Sequence, residues 1–296
     1  MPELTVLTPA YNRDKELHNL FESLCRQTDK NFEWLIVDDG STDGTSLSAA
    51  GWKEIADFPV FYYKKENGGK HTALNYALKI ITSPLVFIVD SDDRITPDAI
   101  KTILEKYSLY KNEQDICGFS FLREKPDGSG YLSGKVPVDG MKSTYCSCRI
   151  NGNLAGDMAE VWYTEKLREF PFPEFKGEKF LGEDAVWVRL SGKYKMRFFN
   201  KAIYISQYQN DGLTKNRRRH NIKSPNGCVA RASAFLGSDI KLKYKAKAML
   251  QYFIYGKFAG NSMKDMFLHS DMKPLAALCF FPAMLIYINW KHKFAK

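Results

Sequence analysis

Along the first 110 residues, short continuous apolar runs alternate with segments in which apolar residues recur every three or four positions. Four short apolar runs rich in β-branched and aromatic residues predict buried strands, because parallel strands that are covered on both faces have nearly continuous hydrophobic sequences. These runs occupy residues 4–9, 32–39, 59–65 and 84–90. Between them, apolar residues at i, i+3, i+4 and i+7 predict helices at 15–27 and 70–81, and Thr96-Pro97 predicts the cap and first turn of another. The predicted fold class is α/β, with a mostly parallel Rossmann-like sheet flanked by helices.

The pattern after residue 110 is less regular. Strands are predicted at 115–122 and 196–206, with a loop region near 124–143 between them. Much of the positive charge follows residue 190, in three basic runs at 215–223, 241–247 and 291–296. This half therefore predicts additional strands and a basic C-terminal extension.

Polar, acidic or glycine-rich residues follow each of the first four predicted strands. These segments are TPAYNR (8–13), VDDGSTDG (37–44), KKENGGK (64–70) and VDSDD (89–93). Open α/β sheets bind their ligands in the crevice at the carboxyl ends of the strands. The four segments together therefore predict one ligand-binding site.

The densest acidic cluster is VDSDD, in which Asp90, Asp92 and Asp93 repel one another at neutral pH unless a cation neutralises them. Carboxylate clusters with few ligands suit Mg²⁺ or Mn²⁺, often completed by substrate phosphates. The alternative is that these acids only help the helix after Thr96 to begin.

In VDDGSTDG, Asp38 and Asp39 can accept hydrogen bonds from a base or ribose, and Gly40 permits close backbone approach. The alternative for Asp43 is an Asx turn that leads into the next helix.

Charge and short motifs narrow the function classes. With 43 Lys and Arg against 34 Asp and Glu, the net charge of +9 favours an anionic partner such as a nucleotide, a nucleic acid or a membrane surface. The six cysteines lack paired C-x-x-C spacing, which predicts reduced thiols and no zinc site. Neither G-x-G-x-x-G after the first strand nor a P-loop motif occurs, which disfavours dinucleotide dehydrogenases and P-loop NTPases.

The ordered motifs TPAYNR, VDDGSTDGT, NGGKHTALN (67–75), VDSDD and GEDAVW (182–187) resemble those of family 2 glycosyltransferases with the GT-A fold. The resemblance covers residues 3–215. It implies an enzyme that transfers a hexosyl or N-acetylhexosaminyl group from a nucleotide-sugar, usually a UDP-sugar, to an acceptor hydroxyl with inversion. It also implies Mn²⁺ or Mg²⁺ as cofactor and a saccharide or lipid-linked saccharide as acceptor, as in the synthesis of bacterial capsule, exopolysaccharide or lipopolysaccharide.

The same resemblance assigns roles to individual residues. It makes Asp184 the catalytic base, with Glu183 beside it, and it makes Asp92 and Asp90 the metal ligands. For Asp157, a buried structural role is the alternative. The residues that it assigns to nucleotide-sugar binding are Pro9, Ala10, Tyr11, Arg13, Asp39, Asn67, Gly69, Lys70, Asp90, Ser91 and Asp157.

The resemblance also implies a domain organisation. A GT-A catalytic domain at 1–215 would comprise a nucleotide-binding half at 1–113 and an acceptor-binding half at 114–215, followed by a helical extension at 216–296. QNDGLTKNRRR at 209–219 resembles a loop that folds over the donor diphosphate; a solvated basic run is the alternative. The chain lacks the Q-x-x-R-W motif and the several membrane helices of processive members, so we expect single-sugar addition.

The apolar run 274–290, interrupted by Pro282 and followed by basic residues, is slightly short for a membrane span. It predicts an interfacial helix or a shallow membrane hairpin; the alternatives are a helix packed on the domain or a homodimer contact. The N-terminus lacks a secretory signal, so we expect a cytoplasmic protein peripheral to the inner face of the membrane.

Two other function classes remain open. The first is a nucleotidyltransferase acting on a sugar phosphate, although TPAYNR lacks the glycines of its phosphate loop. The second is a basic nucleic-acid-binding or membrane-binding module. Nucleic acid is not a predicted partner, because the basic runs lie apart from the acidic segments and form no recognisable stacking motif.

Overall fold

A nine-stranded sheet forms the centre of the computed structural model, which describes residues 2–206 and 217–294. Its main path has the order β3-β2-β1-β4-β8-β6-β9-β5, and β7 pairs with β9. The strands are β1 Leu4–Ala10, β2 Phe32–Asp38, β3 Val60–Lys64, β4 Leu85–Ile88, β5 Arg94–Ile95, β6 Ile116–Glu124, β7 Met141–Ser143, β8 Ala159–Tyr163 and β9 Lys195–Ile205.

Eleven helices occur in the described residues. They are α1 Asp14–Cys25, α2 Thr45–Ile55, α3 Lys70–Ile80, α4 Ala99–Tyr110, α5 Thr164–Arg168, α6 Asp184–Leu190, α7 Arg217–Lys223, α8 Pro225–Leu236, α9 Leu242–Phe258, α10 Met263–Leu268 and α11 Lys273–Phe294. A short π-helical turn spans Cys146–Asn151.

The first half of the sheet is parallel, as the sequence pattern predicts. β1 lies between β2 and β4 and is parallel to both, and every residue of β1 is buried because helices cover both faces. α1, α2 and α4 pack on one face, and α3 and α6 pack on the other. Parallel strands here place the carboxyl ends of β1, β2 and β4 at one edge, where the polar segments meet.

The second half makes the sheet mixed rather than mostly parallel. β8 is antiparallel to both β4 and β6, and β9 is parallel to β6 but antiparallel to β5 and β7. The difference arises because β5, β7 and β8 are short strands without a crossover helix of their own, and the expectation of a parallel sheet rested on regular strand–helix alternation.

The start of α4 differs from the expectation. The helix begins at Ala99 with Asp98 at the N-cap position, and the carbonyl of Thr96 accepts the Ala99 N–H in the preceding turn. Thr96 is therefore not the cap. β5 lies between the acidic cluster and this helix, so Asp92 and Asp93 do not cap it either.

The C-terminal helices pack around an apolar cluster of their own, formed by α9, α10 and α11. α11 runs without interruption through Pro282, so the expected interruption and the shallow hairpin are both wrong. By length and composition, this helix could cross a membrane, and it is the single helix of the described residues that meets those criteria. The predicted boundary at 215/216 lies outside the described residues.

The C-terminal cluster supplies a stability prediction. Phe253 is fully buried and meets the ring of Phe280 on α11 edge to face, with ring centroids 5.7 Å apart. We expect Phe253→Ala to lower the free energy of unfolding by about 3–5 kcal/mol through lost burial and the cavity left behind. Urea unfolding followed by circular dichroism measures this. Leu47→Ala, at a site 79% exposed, is the control, and it should change stability by under about 0.5 kcal/mol. Equal midpoints for both variants would contradict the prediction.

Candidate active site

A cleft of about 810 Å³ opens at the carboxyl edge of the parallel strands. It brings together residues from all five sequence motifs, which are separated by up to about 170 positions in the chain. The predicted site residues that line it are Tyr11, Arg13, Asp39, Asn67, Gly69, Lys70, Asp90, Asp157, Glu183 and Asp184.

The Asp39 carboxylate organises one wall of the cleft. Its Oδ1 accepts hydrogen bonds from Lys65 Nζ at 2.8 Å and from the Gly68 N–H at 2.9 Å. Its Oδ2 accepts from the Gly69 N–H at 2.6 Å and from Asn67 Nδ2 at 3.1 Å. A carboxylate has about four lone-pair sites, so this buried group fixes the loop that leads into α3.

Gly69 ends that loop and has a backbone conformation that favours glycine. Its φ is +95°, and a Cβ added there would lie 2.1 Å from the carbonyl oxygen of Lys179. A side chain at this position would therefore push apart two walls of the cleft. The next residue, Lys70, is the first of α3 and points into the cleft.

Lys70 joins two carboxylates that are far apart in the sequence. Its ammonium group donates to Asp90 after β4, and it lies 2.5 Å from Oε1 of Glu183 just before α6. Burial alone would lower the pKa of Lys70, but the charges of Asp90 and Glu183 outweigh it and raise that pKa. Burial would likewise raise the pKa of Asp90, but Lys70 and Arg123 lower it. Both groups are charged at neutral pH.

The other two acids of the cluster differ from Asp90. Asp93 is buried, accepts a hydrogen bond of 2.8 Å from the Tyr204 hydroxyl, and has a pKa raised to about 7 by burial and by the charge of Asp90. Burial also raises the pKa of Asp92, again with a contribution from Asp90.

The acids after β4 suit a divalent ion only if phosphate oxygens of a bound nucleotide supply further ligands. Throughout residues 2–206 and 217–294, no group of three or more His, Cys, Asp or Glu side chains could hold a metal. Mg²⁺ in nucleotide sites is commonly held by one or two carboxylates together with phosphate oxygens. Crowded, partly desolvated carboxylates such as Asp90 and Asp92 suit that arrangement.

Asp184, at the first position of α6, lies in a bidentate ion pair. Arg231 on α8 donates from Nε to Oδ1 at 2.6 Å and from Nη2 to Oδ2 at 2.5 Å. The planar guanidinium therefore fixes the plane of the carboxylate. Two of its lone-pair sites remain, and the side chain still lines the cleft.

A family comparison covers the first half of the chain, which includes the motifs from TPAYNR to VDSDD. Residues 5–146 match the model of Glycosyl transferase family 2. This match assigns residues 5–146, just under half of the chain, to glycosyltransferase family 2.

This chain resembles curated proteins and solved structures. It is 29% identical to GgaB of Bacillus subtilis (strain 168), a minor teichoic acid biosynthesis protein, over 221 residues that cover 71% of this chain and 23% of that protein. The chain spans less than a quarter of the length of the first curated relatives that it matches.

Two solved structures share the GT-A fold with this chain. S. aureus TarS 1-349 in complex with UDP-GlcNAc superposes with a TM-score of 0.64 at 20% identity, covering 94% of this chain and 79% of that one. Mannosyltransferase PcManGT from Pyrobaculum calidifontis, in complex with GDP-Man and Mn²⁺, superposes with a TM-score of 0.59 at 20% identity, covering 99% and 84%. The predicted fold is confirmed.

Four of the predicted site residues do not line the cleft. Pro9 and Ala10 are buried in β1, where Ala10 accepts the N–H of Asp39. Ser91 and Asp92 follow β4 beside Asp90, and Ser91 is buried. Asp43 has the alternative role: its carboxylate accepts from Thr45 at the start of α2, forming an Asx turn.

Sequence reasoning missed several cleft residues. Arg123 is the second-to-last residue of β6, and its Nη1 lies 3.8 Å from Oδ2 of Asp93. Its position near the carboxyl end of a strand could have revealed it. Glu160 lies within β8, where nothing in the surrounding sequence distinguishes it from an outward-facing acid. The other missed residues are Tyr145, Arg149, Met158, Gly177, Lys179, Phe180, Leu181, Gly182, Trp187, His220, Lys223 and Ser224.

Part of the expected diphosphate loop cannot be compared. Residues 207–216, including Lys215, lie outside the described residues, and α7 begins at Arg217. Further along α7, His220 and Lys223 line the cleft.

Glu160 supplies a pH prediction. Burial raises its pKa from 4.5 to about 7, although Arg149 and Arg123 oppose the shift. Its stabilising contribution is therefore complete below pH 4.5 and is lost as the pH rises through about 7, because the folded chain resists ionisation that the unfolded chain permits. We expect the wild type to lose stability relative to Glu160→Gln over that range.

Urea unfolding at several pH values measures the difference, and subtraction cancels groups shared by both proteins, such as Asp93. Glu165→Gln, at a side chain that is 80% exposed, is the matched control and should show no such trend. A wild-type–Glu160→Gln difference independent of pH would contradict the prediction.

Proposed function

We propose that this enzyme transfers a sugar from a UDP-sugar to an acceptor hydroxyl in a single displacement with inversion. The observation that carries the proposal is that Lys70, Asp90, Glu183 and Asp184 converge in one cleft at the carboxyl edge of the sheet. The likeness to TarS with UDP-GlcNAc supports a nucleotide-sugar donor, and a UDP-sugar is the first donor class to test.

Asp184 is the proposed base. A sugar hydroxyl has a very high pKa, so its proton must be removed as its oxygen attacks the anomeric carbon. The ion pair with Arg231 holds the Asp184 carboxylate in one orientation and leaves lone pairs that can accept this proton. Glu183 has a different proposed role: together with Asp90, it positions the ammonium group of Lys70.

The donor diphosphate is proposed to bind between Lys70, Arg13 and the acids after β4. Asp90 and Asp92 are the proposed ligands of Mn²⁺ or Mg²⁺. Such an ion, when bound with the donor, neutralises the charge that develops on the departing nucleotide. Lys70 pairs with Asp90 now, so we expect its ammonium to shift towards a phosphate oxygen when a donor enters.

Tyr11 and Asn67 complete the proposed nucleotide pocket. Tyr11 is 50% exposed at the mouth of the cleft, which suits stacking against a base. Asn67 is held by Asp39, whose own carboxylate is engaged by the loop. For Asp39, a contact with uracil stays a prediction beside its role in the loop.

Matched substitutions of Glu183 and Asp184 test the proposed chemistry. Asp184→Asn should retain UDP-sugar binding and lower the transfer rate by about 10²–10⁴-fold, because it removes the proton acceptor but keeps the shape. Glu183→Gln should mainly weaken donor binding. A screen of UDP- and GDP-sugars with Mn²⁺, followed by calorimetric binding and turnover assays, measures both effects.

Asp98→Asn is the control, because Asp98 pairs with Lys201 on the surface and does not line the cleft. Full activity in Asp184→Asn would contradict its assignment as base. Retention of the donor's anomeric configuration, detected by NMR of the product, would contradict the single displacement.

We further propose a role in the synthesis of bacterial cell-surface polysaccharide. The relative GgaB is a minor teichoic acid biosynthesis protein, which supports a surface polymer as the acceptor class. The exposed side of α11 supports work at a membrane. Leu278, Phe281, Leu285 and Ile288 follow one another at helical spacing and are 52–75% exposed, forming an apolar stripe.

Membrane contact through this stripe is testable. Lysines at both ends of α11, Lys273, Lys291 and Lys293, would favour anionic headgroups. We expect the wild type to float with vesicles that contain phosphatidylglycerol. Phe281→Asp with Leu285→Asp should lower the bound fraction at least about tenfold, because each buried apolar side chain contributes about 1.5–3 kcal/mol.

Leu109→Asp is the matched control for this test, because Leu109 is a similarly exposed leucine on α4, in the sheet domain. Equal flotation of the double variant and the wild type would contradict membrane docking by α11. A shift from dimer to monomer in the double variant, without any vesicle binding by the wild type, would assign the stripe to a homodimer contact instead.

A further inference from the structure

A second cavity, of about 800 Å³, lies among the helices on the far side of Arg231. Side chains from α7, α8, α9 and α11 form most of its walls, whereas the strands contribute none of its lining in the described residues. It is therefore distinct from the donor cleft, although the two cavities share Phe180 and Gly182 at their border.

The walls of this helical cavity combine positive charge with aromatic rings. Four of the residues that line it are cationic: Arg218, Arg219, Arg231 and Lys247. Among the described lining residues, there is no aspartate or glutamate. The aromatic residues are Phe180, Phe235, Tyr244, Tyr255, Trp290 and Phe294.

Three of the cations have no acidic partner in the described part of the chain. Arg219 and Lys247 are exposed and form no ion pair there, and neither does Arg218. Arg218 instead lies over Trp290, 4.5 Å from the ring centroid, and near Phe294 at 5.4 Å. Stacking on two rings restricts the guanidinium while its N–H donors stay available to an anion.

The fourth cation connects the cavity to the proposed reaction centre. Arg231 lines the helical cavity, and its guanidinium also holds Asp184, which lines the donor cleft. Gly182 permits this contact, since a Cβ there would lie 2.9 Å from Asp184 Oδ1 and 3.2 Å from Arg231 Cδ. A ligand in the helical cavity would thus contact Arg231, the ion-pair partner of the proposed base Asp184.

We propose that the helical cavity binds a phosphate or diphosphate group of the acceptor. The inference rests on the proposed function in so far as it makes this ligand the acceptor. The donor already has a cleft with acids suited to a metal–nucleotide, whereas this cavity supplies cations and aromatic rings without acids. A phosphate group suits guanidinium and ammonium donors, and the rings suit apolar or sugar carbons attached to it.

The phosphate group could belong to a lipid-linked acceptor or to a water-soluble one, and the position of α11 bears on this choice. Trp290 and Phe294, at the end of α11, line the cavity, and the exposed apolar stripe begins on the preceding turns of the same helix. A lipid-linked acceptor could place its headgroup in the cavity while its chain follows α11. A water-soluble phosphate-containing acceptor would use the cations alone.

Calorimetric titration of the full chain in EDTA tests the proposal with two probes, inorganic diphosphate and farnesyl diphosphate. Arg219→Ala and Lys247→Ala should each weaken binding of both probes about tenfold, as expected for loss of one charge-assisted contact. Lys243→Ala is the matched control: it removes an exposed lysine from the same helix outside the cavity and should change affinity by under about twofold.

A second control, Arg13→Ala, reports on the donor cleft and should leave probe binding unchanged. Tighter binding of farnesyl diphosphate than of inorganic diphosphate, lost in Trp290→Ala, would assign the site to a lipid-linked acceptor. Equal affinities would assign it to a soluble phosphate-containing acceptor. Either result supports a phosphate-binding site in the helical cavity.

Three results would overturn the proposal: no binding of either probe to the wild type, equal weakening by Lys243→Ala and Lys247→Ala, or weakening by Arg13→Ala alone. UDP binding with Mn²⁺, measured separately, should be unchanged in Lys247→Ala. If the wild type does not bind UDP with Mn²⁺, the proposed donor reaction is refuted, but the proposed phosphate site is unaffected. Failure of the proposed function is therefore distinguishable from failure of the proposed phosphate site.

Discussion

The buried carboxylate of Asp39 is the constraint on which the cleft depends. It receives four hydrogen bonds from the segment between β3 and α3, including the N–H groups of Gly68 and Gly69. Because a buried charge without partners is costly, the loop has little freedom to leave it. The start of α3 is thereby fixed, and with it the position from which Lys70 reaches Asp90 and Glu183.

Opposite charges are then arranged in pairs across the cleft. Lys70 lies between two carboxylates, and Arg231 holds Asp184. Partly buried pairs of this kind contribute little net stability, because desolvation offsets much of the attraction. These ion pairs instead fix where the charged groups lie. An entering diphosphate can replace a carboxylate as the partner of Lys70, so the ammonium is never unpaired. Asp184 keeps its orientation because Arg231 continues to hold it.

The parallel half of the fold and the motifs on its edge could be predicted from the sequence, because continuous apolar runs and strand-end polar segments are local signals. Arg231 could not be predicted, since it lies 47 residues beyond its partner in an unremarkable helix. The start of α4 was misplaced because Thr-Pro is a statistical helix-start signal, whereas β5 and its pairing with β9 determine where the chain turns. Long-range pairing leaves no local pattern.

The ion pair between Asp184 and Arg231 also joins the two parts of the chain. α8 supplies Arg231, which holds the cleft residue Asp184, and α8 packs on α9, which packs on α11 in the apolar C-terminal cluster. The position of α11 therefore bears on Arg231 through α9, which packs on both α8 and α11, and through α7, whose Arg218 stacks on Trp290. Because Arg231 lines the helical cavity and holds Asp184 of the cleft, the two cavities meet at this ion pair. This places the C-terminal helices within the proposed catalytic unit, in contrast to a passive anchor that could be removed without altering the cleft.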